Sequence, residues 1–301
     1  MLRLTLLTLF ILPTFAMGEP VVSFDGDDKR LAILIDGKPF ATYVTSDEKI
    51  RRPYFMHLHS PAGLPVTRNS PPKDKDPTDH DTMHPGLWLS FGDLSGADFW
   101  RNKGVTEHIE FRRKQAPNSS VAWLTTVNRY KFNDRTVAEE VSKATILAEP
   151  HHTWMILKST FTHTAPMTFG DQEEMGLGVR VATPLTVKNG GTILNSKGLK
   201  NEKNAWGQTA EWCSYSGTID GKKVGIAIFT HPKNFRESWF HVRDYGLMVA
   251  NPFGRQAFTK GEPSRLTIPA NELFNLGFGV LVYDGEPDLK AMYQEYLKKS
   301  E

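Results

Sequence analysis

A ten-residue segment, Asp79–Trp88, holds the densest group of reactive side chains in the sequence. It carries His80 and His84, four positions apart and flanked by carboxylates. Two imidazoles at this spacing suit a general acid and base, or two ligands of a divalent metal. Pro85 and the glycine after it disfavour a helix, so we expect a loop that leads into a strand near Leu87. The alternative is a polar surface loop without chemistry.

A second group begins with three acids between positions 171 and 174 and ends in an apolar run around Arg180. An arginine among apolar neighbours needs a carboxylate partner, either in the protein or in a ligand. Glu174 is a candidate base and also a candidate internal partner of Arg180. His231 precedes a proline at a predicted strand end, where site residues often lie. Glu174, Arg180 and His231 therefore join His80 and His84 as candidate catalytic residues.

Five further side chains are candidates for holding a substrate. Tryptophan rings offer flat stacking surfaces, arginines bind anionic or hydroxyl groups, and His59 is expected to share one face of a strand with His57. For His57 and His59, the alternative is a pair of surface histidines that face solvent. The candidates are Arg52, His59, Trp88, Trp206 and Arg243.

The elements that must position these residues are almost all strands. Asp36-Gly37 between two apolar runs predicts a hairpin, and four long strands are expected between positions 106 and 163. The run 68–79 has no periodicity and predicts a long loop, of the kind that is usually functional or disordered. One helix is expected near the C-terminus, where Pro287 precedes apolar residues at three- and four-residue spacing. We expect a single all-β domain over residues 19–301, a large antiparallel sandwich with one C-terminal helix.

The totals exclude several classes of protein. The 301 residues carry a formal net charge of +2 and no Lys/Arg stripe, so no nucleic-acid partner is expected. Glycine-rich nucleotide loops and the nucleophile motif of serine hydrolases are absent. Cys213 is the single cysteine, which rules out an intrachain disulfide.

The N-terminus has the pattern of a signal peptide. Arg3 precedes an apolar run, and Ala16-Met17-Gly18 resembles a cleavage site. We expect residues 1–18 to be removed and the mature chain to be exported to the periplasm or the extracellular space. No later run of 18 apolar residues exists, so no membrane span is expected after cleavage. An N-terminus that anchors the chain in the membrane is the alternative.

The order of many short motifs resembles the exported bacterial proteins of the "methane oxygenase PmoA" domain family over most of the mature chain. The motifs are Arg52-Pro53-Tyr54-Phe55 with Ser60-Pro61, Val66-Thr67-Arg68, Asp79-His80 with His84-Pro85-Gly86-Leu87-Trp88, Asp98-Phe99-Trp100, Glu174-Met175-Gly176 with Val179-Arg180, His231-Pro232-x-Asn234, and Arg243-Asp244-Tyr245-Gly246 with Asn251-Pro252-Phe253. The family label implies a metal-dependent oxygenase, which needs two His and a carboxylate on one metal. His108 and Glu110, or the His80/His84 loop, are the candidates. Because the sequence predicts strands almost throughout, we do not transfer methane oxidation from the family label to this chain.

A more distant resemblance concerns architecture. Pro53-Tyr54-Phe55-x-x-Leu58 is similar to a strand of galactose mutarotase-like proteins, which are β-supersandwiches of comparable length. This resemblance implies a sheet cleft that combines His, Glu and Arg. Together these features predict an exported carbohydrate-processing enzyme of lyase, hydrolase or epimerase type. Its partner would be a small-molecule or oligosaccharide substrate. The sequence does not identify a cofactor, and a divalent metal is one candidate. The alternatives are a non-catalytic carbohydrate-binding protein and a metal-dependent oxygenase.

Overall fold

The chain folds mainly into antiparallel strands, which the computed structural model describes for residues 19–301. The strands run in chain order as β1 (Val22–Gly26), β2 (Arg30–Ile35), β3 (Lys38–Val44), β4 (Tyr54–Met56), β5 (Leu87–Phe91), β6 (Val105–Gln115), β7 (Val121–Phe132), β8 (Arg135–Ala148), β9 (His152–Thr162), β10 (Met167–Phe169), β11 (Met175–Arg180), β12 (Thr192–Asn195), β13 (Gln208–Thr209), β14 (Trp212–Ile219), β15 (Lys222–Thr230), β16 (Trp239–Arg243), β17 (Leu247–Asn251), β18 (Leu266–Ile268) and β19 (Phe274–Asp284). The predicted signal peptide, residues 1–18, lies outside the described residues and stays a prediction.

Two large sheets form the sandwich. A nine-stranded sheet has the order β1-β2-β3-β4-β5-β11-β17-β16-β13, and an eight-stranded sheet has the order β12-β14-β15-β19-β9-β8-β7-β6. Apolar residues from both sheets form one core, in which Phe91 and Leu177 of the first sheet meet Ile146, Ile226 and Val280 of the second. The predicted all-β antiparallel sandwich is confirmed.

The predicted hairpin and C-terminal helix are both present. Asp36 and Gly37 have positive φ angles of 50° and 72°, as the tight turn between β2 and β3 requires. Helices α1 (Asn201–Ala205) and α2 (Arg255–Thr259) have five residues each, whereas α3 (Leu289–Lys299) has eleven. The Asp288 side chain accepts hydrogen bonds from the first turn of α3. This helix covers the outer face of the eight-stranded sheet with Tyr293 and Tyr296.

The predicted strand through His57 and His59 is wrong. Strand β4 ends at Met56, because His57 takes a left-handed conformation with φ of 55° and turns the chain. The His59 ring nitrogen Nδ1 lies 2.6 Å from the His57 carbonyl oxygen. The two imidazoles therefore do not share one face of a strand.

Candidate functional site

The long loop before β5 is held in place by buried arginines. Arg68 is 2% exposed, and its guanidinium donates hydrogen bonds to the carbonyl oxygens of Pro77 (2.8 Å), Asp79 (2.8 Å) and His84 (3.2 Å). These three carbonyls belong to a stretch without regular structure, where no neighbouring strand donates hydrogen bonds to them. The Arg68 guanidinium supplies the donors instead. Arg68 thereby fixes the backbone of the segment that contains His80 and His84.

Arg52 has a similar structural role. Its guanidinium donates to the carbonyl oxygens of Met83 and Trp100 and to the side chain of Asn102. Burial lowers the pKa of Arg52 to about 9. The residue is 2% exposed and both terminal nitrogens of its guanidinium donate inside the protein, which does not support the predicted substrate-binding role.

Arg180 forms a bidentate ion pair with Asp79. Both guanidinium nitrogens lie 2.9 Å from carboxylate oxygens of Asp79, the geometry that gives the strongest charge-assisted hydrogen bonds. The alternative of an internal pair between Arg180 and Glu174 is not observed, since the Glu174 carboxylate contacts Arg101 instead. Burial opposes ionisation of Asp79, but hydrogen bonds from Arg180 and His80 outweigh it and hold the pKa of Asp79 well below 3.8.

Asp79 also contacts the imidazole of His80. The distance from His80 Nδ1 to Asp79 Oδ2 is 3.1 Å, so Nδ1 donates to the carboxylate and Nε2 remains free. The His80 side chain is 43% exposed, and its backbone has a left-handed φ of 51°. His80 is thus an oriented imidazole with an accessible nitrogen.

His84 lies behind His80 in a stack of rings. The His84 ring centroid is 4.9 Å from that of His80 and 5.2 Å from that of Trp88, with nearly parallel planes. Burial, followed by the charges of His80 and Arg180, keeps the pKa of His84 well below 6.5. His84 is 4% exposed, and its Nδ1 has no hydrogen-bond partner among residues 19–301. The structure therefore favours a packing role for this neutral imidazole over the predicted catalytic one.

Trp88 is the floor of this stack and is 1% exposed. A Cβ on Gly178 of β11 would lie 2.7 Å from the Trp88 ring, so the absence of a side chain there makes room for the indole. A ring this deeply buried does not offer a stacking surface to a ligand. The predicted substrate contact at Trp88 is not supported.

Tyr245, in the turn between β16 and β17, completes the exposed side of the stack. Its ring centroid lies 6.2 Å from that of His80 with an interplanar angle of 14°, and the Arg180 guanidinium carbon lies 4.4 Å from the ring centroid. Burial raises the pKa of Tyr245, while the charges of Arg180 and Arg243 lower it. The phenol consequently stays protonated at neutral pH.

A second polar group is centred on Arg243. Arg243 donates to Glu202 at 2.8 Å and to His241 at 3.0 Å, and lies 3.5 Å from Glu173. Its guanidinium carbon is 5.8 Å from the Trp206 ring centroid. Burial raises the pKa of Glu173 against the influence of Arg243. Arg243 and Trp206 are therefore neighbours in the structure. Neither of them is among the residues that line the cleft beside His80.

His80 and Tyr245 both line an open cleft of about 1040 Å³. Its walls are the loop 65–80 and the turns at 182–189, with Thr218 at one end. Arg68 lies in its floor. The cleft gives a small molecule or part of an oligosaccharide access to the oriented imidazole and the phenol.

Two predicted site residues lie elsewhere. His231 follows β15, its ring lies 6.0 Å from that of Tyr296 of α3, and its Nδ1 accepts a hydrogen bond from the backbone of Lys233. His59 lies beside a different depression, next to Ser60 and Pro61. Neither contacts the His80 group, so the structure does not support a shared site for them.

A metal site at the predicted residues lacks ligands. Over residues 19–301, the one group of at least three His, Cys, Asp or Glu with ligand atoms within 4.8 Å of one another is Glu149, His152 and Glu295. The ammonium group of Lys299 lies 3.0 Å from Glu149 and 3.3 Å from Glu295. Neither His80 with His84 nor His108 with Glu110 belongs to such a group, which weighs against the oxygenase alternative.

Two residues of the site escaped the sequence-based set. Asp79 was visible as a flanking acid, but its partner Arg180 is 101 positions away. Tyr245 belongs to the motif Arg243-Asp244-Tyr245-Gly246, in which Arg243 was the only predicted site residue. No local pattern marks Tyr245, because its contact with Arg180 depends on how the β16–β17 turn lies beside β11.

Several solved structures are similar to this chain at low sequence identity. A galactose mutarotase-like protein from Lactobacillus casei matches with 11% identity and a TM-score of 0.41, over 87% of this chain and 100% of that one. The GH36 alpha-galactosidase AgaB from Geobacillus stearothermophilus matches with 12% identity and a TM-score of 0.45, over 87% of this chain and 40% of that one. The heparan sulfate lyase HepC from Pedobacter heparinus matches with 11% identity and a TM-score of 0.41, over 91% of this chain and 37% of that one.

No curated protein sequence matches the chain. The comparisons offer no support for the methane oxygenase PmoA resemblance, which stays an untested prediction. No helix within residues 19–301 combines the length and apolarity needed to cross a bilayer. One family model covers most of the sequence, from residue 30 to residue 296. The chain therefore belongs to the family of unknown function DUF6807.

Proposed function

We propose that this protein is an enzyme that transfers protons on a sugar or sugar derivative bound in the cleft between the loop 65–80 and the turns at 182–189. The observation that carries the proposal is the chain of contacts from Arg180 through Asp79 to the exposed His80, with Tyr245 stacked beside it. An imidazole oriented by a carboxylate, next to a protonated phenol in an accessible cleft, suits general acid–base catalysis.

His80 is the proposed base. Its Nδ1–H donates to Asp79, which leaves the lone pair of Nε2 free to accept a proton from the substrate. The Asp79 carboxylate then stabilises the imidazolium that forms. Arg180 and Asp79 are positioning residues in this scheme, because they hold the imidazole and need not touch the substrate.

Tyr245 is the proposed acid. Its raised pKa keeps the proton on the phenol until a developing oxyanion or leaving group takes it. The Arg180 guanidinium below the ring favours the phenolate that results, because a cation stabilises the adjacent negative charge. A base and an acid at neighbouring positions are what an elimination or an epimerisation requires.

The lining of the cleft supports a polar, hydroxyl-rich ligand. Hydroxyl and amide side chains, which can donate to and accept from hydroxyl groups, line the accessible part of the cleft. They are Asn69, Thr183, Asn189 and Thr218. A sugar presents the alternating donors and acceptors that match such a wall.

The proposal is tested by following a panel of neutral and acidic saccharides by NMR with the wild-type protein and three variants. His80→Gln and Tyr245→Phe are expected to reduce turnover by about 10²-fold or more, the usual contribution of a general acid or base. His163→Gln is the matched control, since this imidazole directly follows β9 and its Nδ1 lies beside the backbone of Ala165. All variants must retain the melting transition of the wild type.

Two outcomes would contradict the proposal. Unchanged turnover in His80→Gln would remove the proton-transfer role. Saccharide binding without turnover of any panel member would favour the non-catalytic carbohydrate-binding alternative.

We also propose that the protein acts after export, as the pattern of residues 1–18 suggests. The supporting observation is the sequence of a charged residue, an apolar run and small residues. Mass spectrometry of the protein from its native compartment tests this. An N-terminus near Glu19 is expected, and an intact Met1 on a cytoplasmic protein would contradict it.

A further inference from the structure

The cleft beside His80 has more cationic than anionic side chains. Arg68, Lys73, Lys75 and Lys188 line it, and Arg180 lies directly below Tyr245. The acids in the same lining are Asp74, Asp76 and Asp79. The positive charge therefore exceeds the negative charge around the space in which a ligand would lie.

The acids are also less available than the cations. Asp79 is held by Arg180. The Asp76 carboxylate accepts hydrogen bonds from the side chains of Asn69, at 2.8 Å, and Thr183, at 2.5 Å. These contacts direct both carboxylates to protein donors, although the Asp79 side chain remains 39% exposed. Asp74 is exposed as well.

The lysines, by contrast, have free ammonium groups. Lys73, Lys75 and Lys188 are exposed, and none of them forms an ion pair with a carboxylate in the described part of the chain. They stand on both walls, two on the loop and one on the opposite turn. A ligand that enters between the walls would meet ammonium groups from both sides.

The buried floor adds to this charge. Arg68 and Arg180 are at most 2% exposed, and the single carboxylate that pairs with either of them in the described residues is that of Asp79. Carbonyl dipoles accept the other hydrogen bonds of Arg68 but do not cancel the net charge. Because the interior screens charge weakly, the field of these groups extends into the cleft above them.

We propose that the substrate is an anionic saccharide, whose carboxylate or sulfate group binds between Lys73, Lys75 and Lys188 above the buried arginines. This inference rests on the proposed function and specifies its substrate class. An anion at this position complements the surplus positive charge, which a neutral sugar would leave uncompensated. Where the anion is a carboxylate, its neutralisation also makes the adjacent C–H group more acidic, which assists proton removal by His80.

The test is a calorimetric titration with tetrasaccharides of galacturonate and of glucuronate, each beside its methyl ester. The esters have the same sugar but no charge. At low ionic strength the acids are expected to bind at least about tenfold more tightly than their esters, and this advantage is expected to shrink at about 0.3 M salt. A 6-sulfated glucose tetrasaccharide, beside unsulfated glucose tetrasaccharide, shows whether sulfate serves instead of carboxylate.

The matched variants are Lys75→Ala/Lys188→Ala and Lys290→Ala. The double variant is expected to lose about fivefold or more in affinity for the acid and little for the ester, since exposed ion pairs contribute up to about that factor each. Lys290 is exposed on α3, which packs on the other sheet, so its removal should leave affinity unchanged.

Equal binding of acids and esters, or preference for the neutral forms, would overturn the inference. This failure is separable from failure of the proposed function. Turnover of a neutral saccharide that depends on His80 would leave the proton-transfer role intact. Tight binding of an acidic saccharide with no effect of His80→Gln on its turnover would remove the role and keep the anion site.

Discussion

Asp79 is the residue on which most contacts of the site converge. Its carboxylate accepts from Arg180 with both oxygens, lies 3.8 Å from Arg68 and orients His80. A carboxylate that neutralises a buried guanidinium has a structural role whether or not chemistry occurs. Asp79 thus links the stability of the loop to the orientation of the imidazole.

Asp79→Asn is expected to lower the free energy of unfolding by about 1–3 kcal/mol at neutral pH, because Arg180 loses its charged partner. The pKa of Asp79 lies below 3.8 in the folded protein, so its contribution is complete above that pH and is lost as the pH falls toward the folded pKa. Urea unfolding at several pH values measures this, with Asp81→Asn as the exposed control. An equal loss of stability in both variants would contradict the account.

His84→Phe is expected to fold and to retain activity, because the phenyl ring keeps the stack between His80 and Trp88 and removes an unpaired buried nitrogen. The pKa of His84 is depressed, so the unfolded chain binds a proton more readily and stability falls as the pH drops below 6.5. The variant should lack this part of the acid sensitivity in thermal melts between about pH 7.5 and 5.5. A loss of turnover as large as that of His80→Gln would restore the catalytic assignment.

At the level of elements, the site is a loop and a hairpin turn held against a sheet. Gly86 connects the loop to β5 with φ of 139°, and a Cβ there would lie 2.4 Å from the Phe55 carbonyl oxygen. Only glycine fits such a close approach in that conformation. Strand β11 then delivers Arg180 beneath the loop, so the chain segments that form the site are fixed by backbone geometry as well as by Arg68.

Arg68→Met is expected to release the segment 77–84, because three carbonyl oxygens lose their donors while the apolar part of the side chain is retained. Hydrogen–deuterium exchange of that segment should accelerate markedly. Arg135→Met is the control, since Arg135 is exposed at the start of β8. Unchanged protection of residues 77–84 would mean that Arg68 does not hold the loop.

Local patterns predicted the elements better than the site. The β2–β3 hairpin and α3 follow from signals within a few residues, Asp-Gly in one case and apolar spacing in the other. The turn at His57 depends on a left-handed backbone that alternation of residues does not reveal. The pairing of Asp79 with Arg180 depends on how β11 lies against the loop, which is a property of the whole sheet order.

Across the whole molecule, a polar group lies between the two sheets. Glu140 of β8 is 4% exposed and accepts hydrogen bonds from Asn128, Tyr130 and Ser159. No cation contacts its carboxylate in the described part of the chain. Burial raises the pKa of Glu140 above 4.5, so folding favours the protonated form of this carboxyl relative to the unfolded chain.

The stability of the sandwich is therefore expected to fall as the pH rises from 4.5 through the folded pKa of Glu140, since the unfolded chain releases that proton first. Glu140→Gln should remove this part of the pH dependence in urea unfolding. Glu139→Gln provides the neighbouring control, because its side chain is 43% exposed and pairs with Arg129. An identical pH dependence in Glu140→Gln and the wild type would contradict the assignment.

The most direct test of the central claim needs no substrate. Nitrogen-15 NMR of labelled histidines at alkaline pH, where imidazoles are neutral, reports which ring nitrogen carries the proton. His80 is expected to hold its proton on Nδ1 in the wild type and to lose that preference in Asp79→Asn. A wild-type His80 protonated on Nε2 would contradict the claim that Asp79 orients this imidazole as a base.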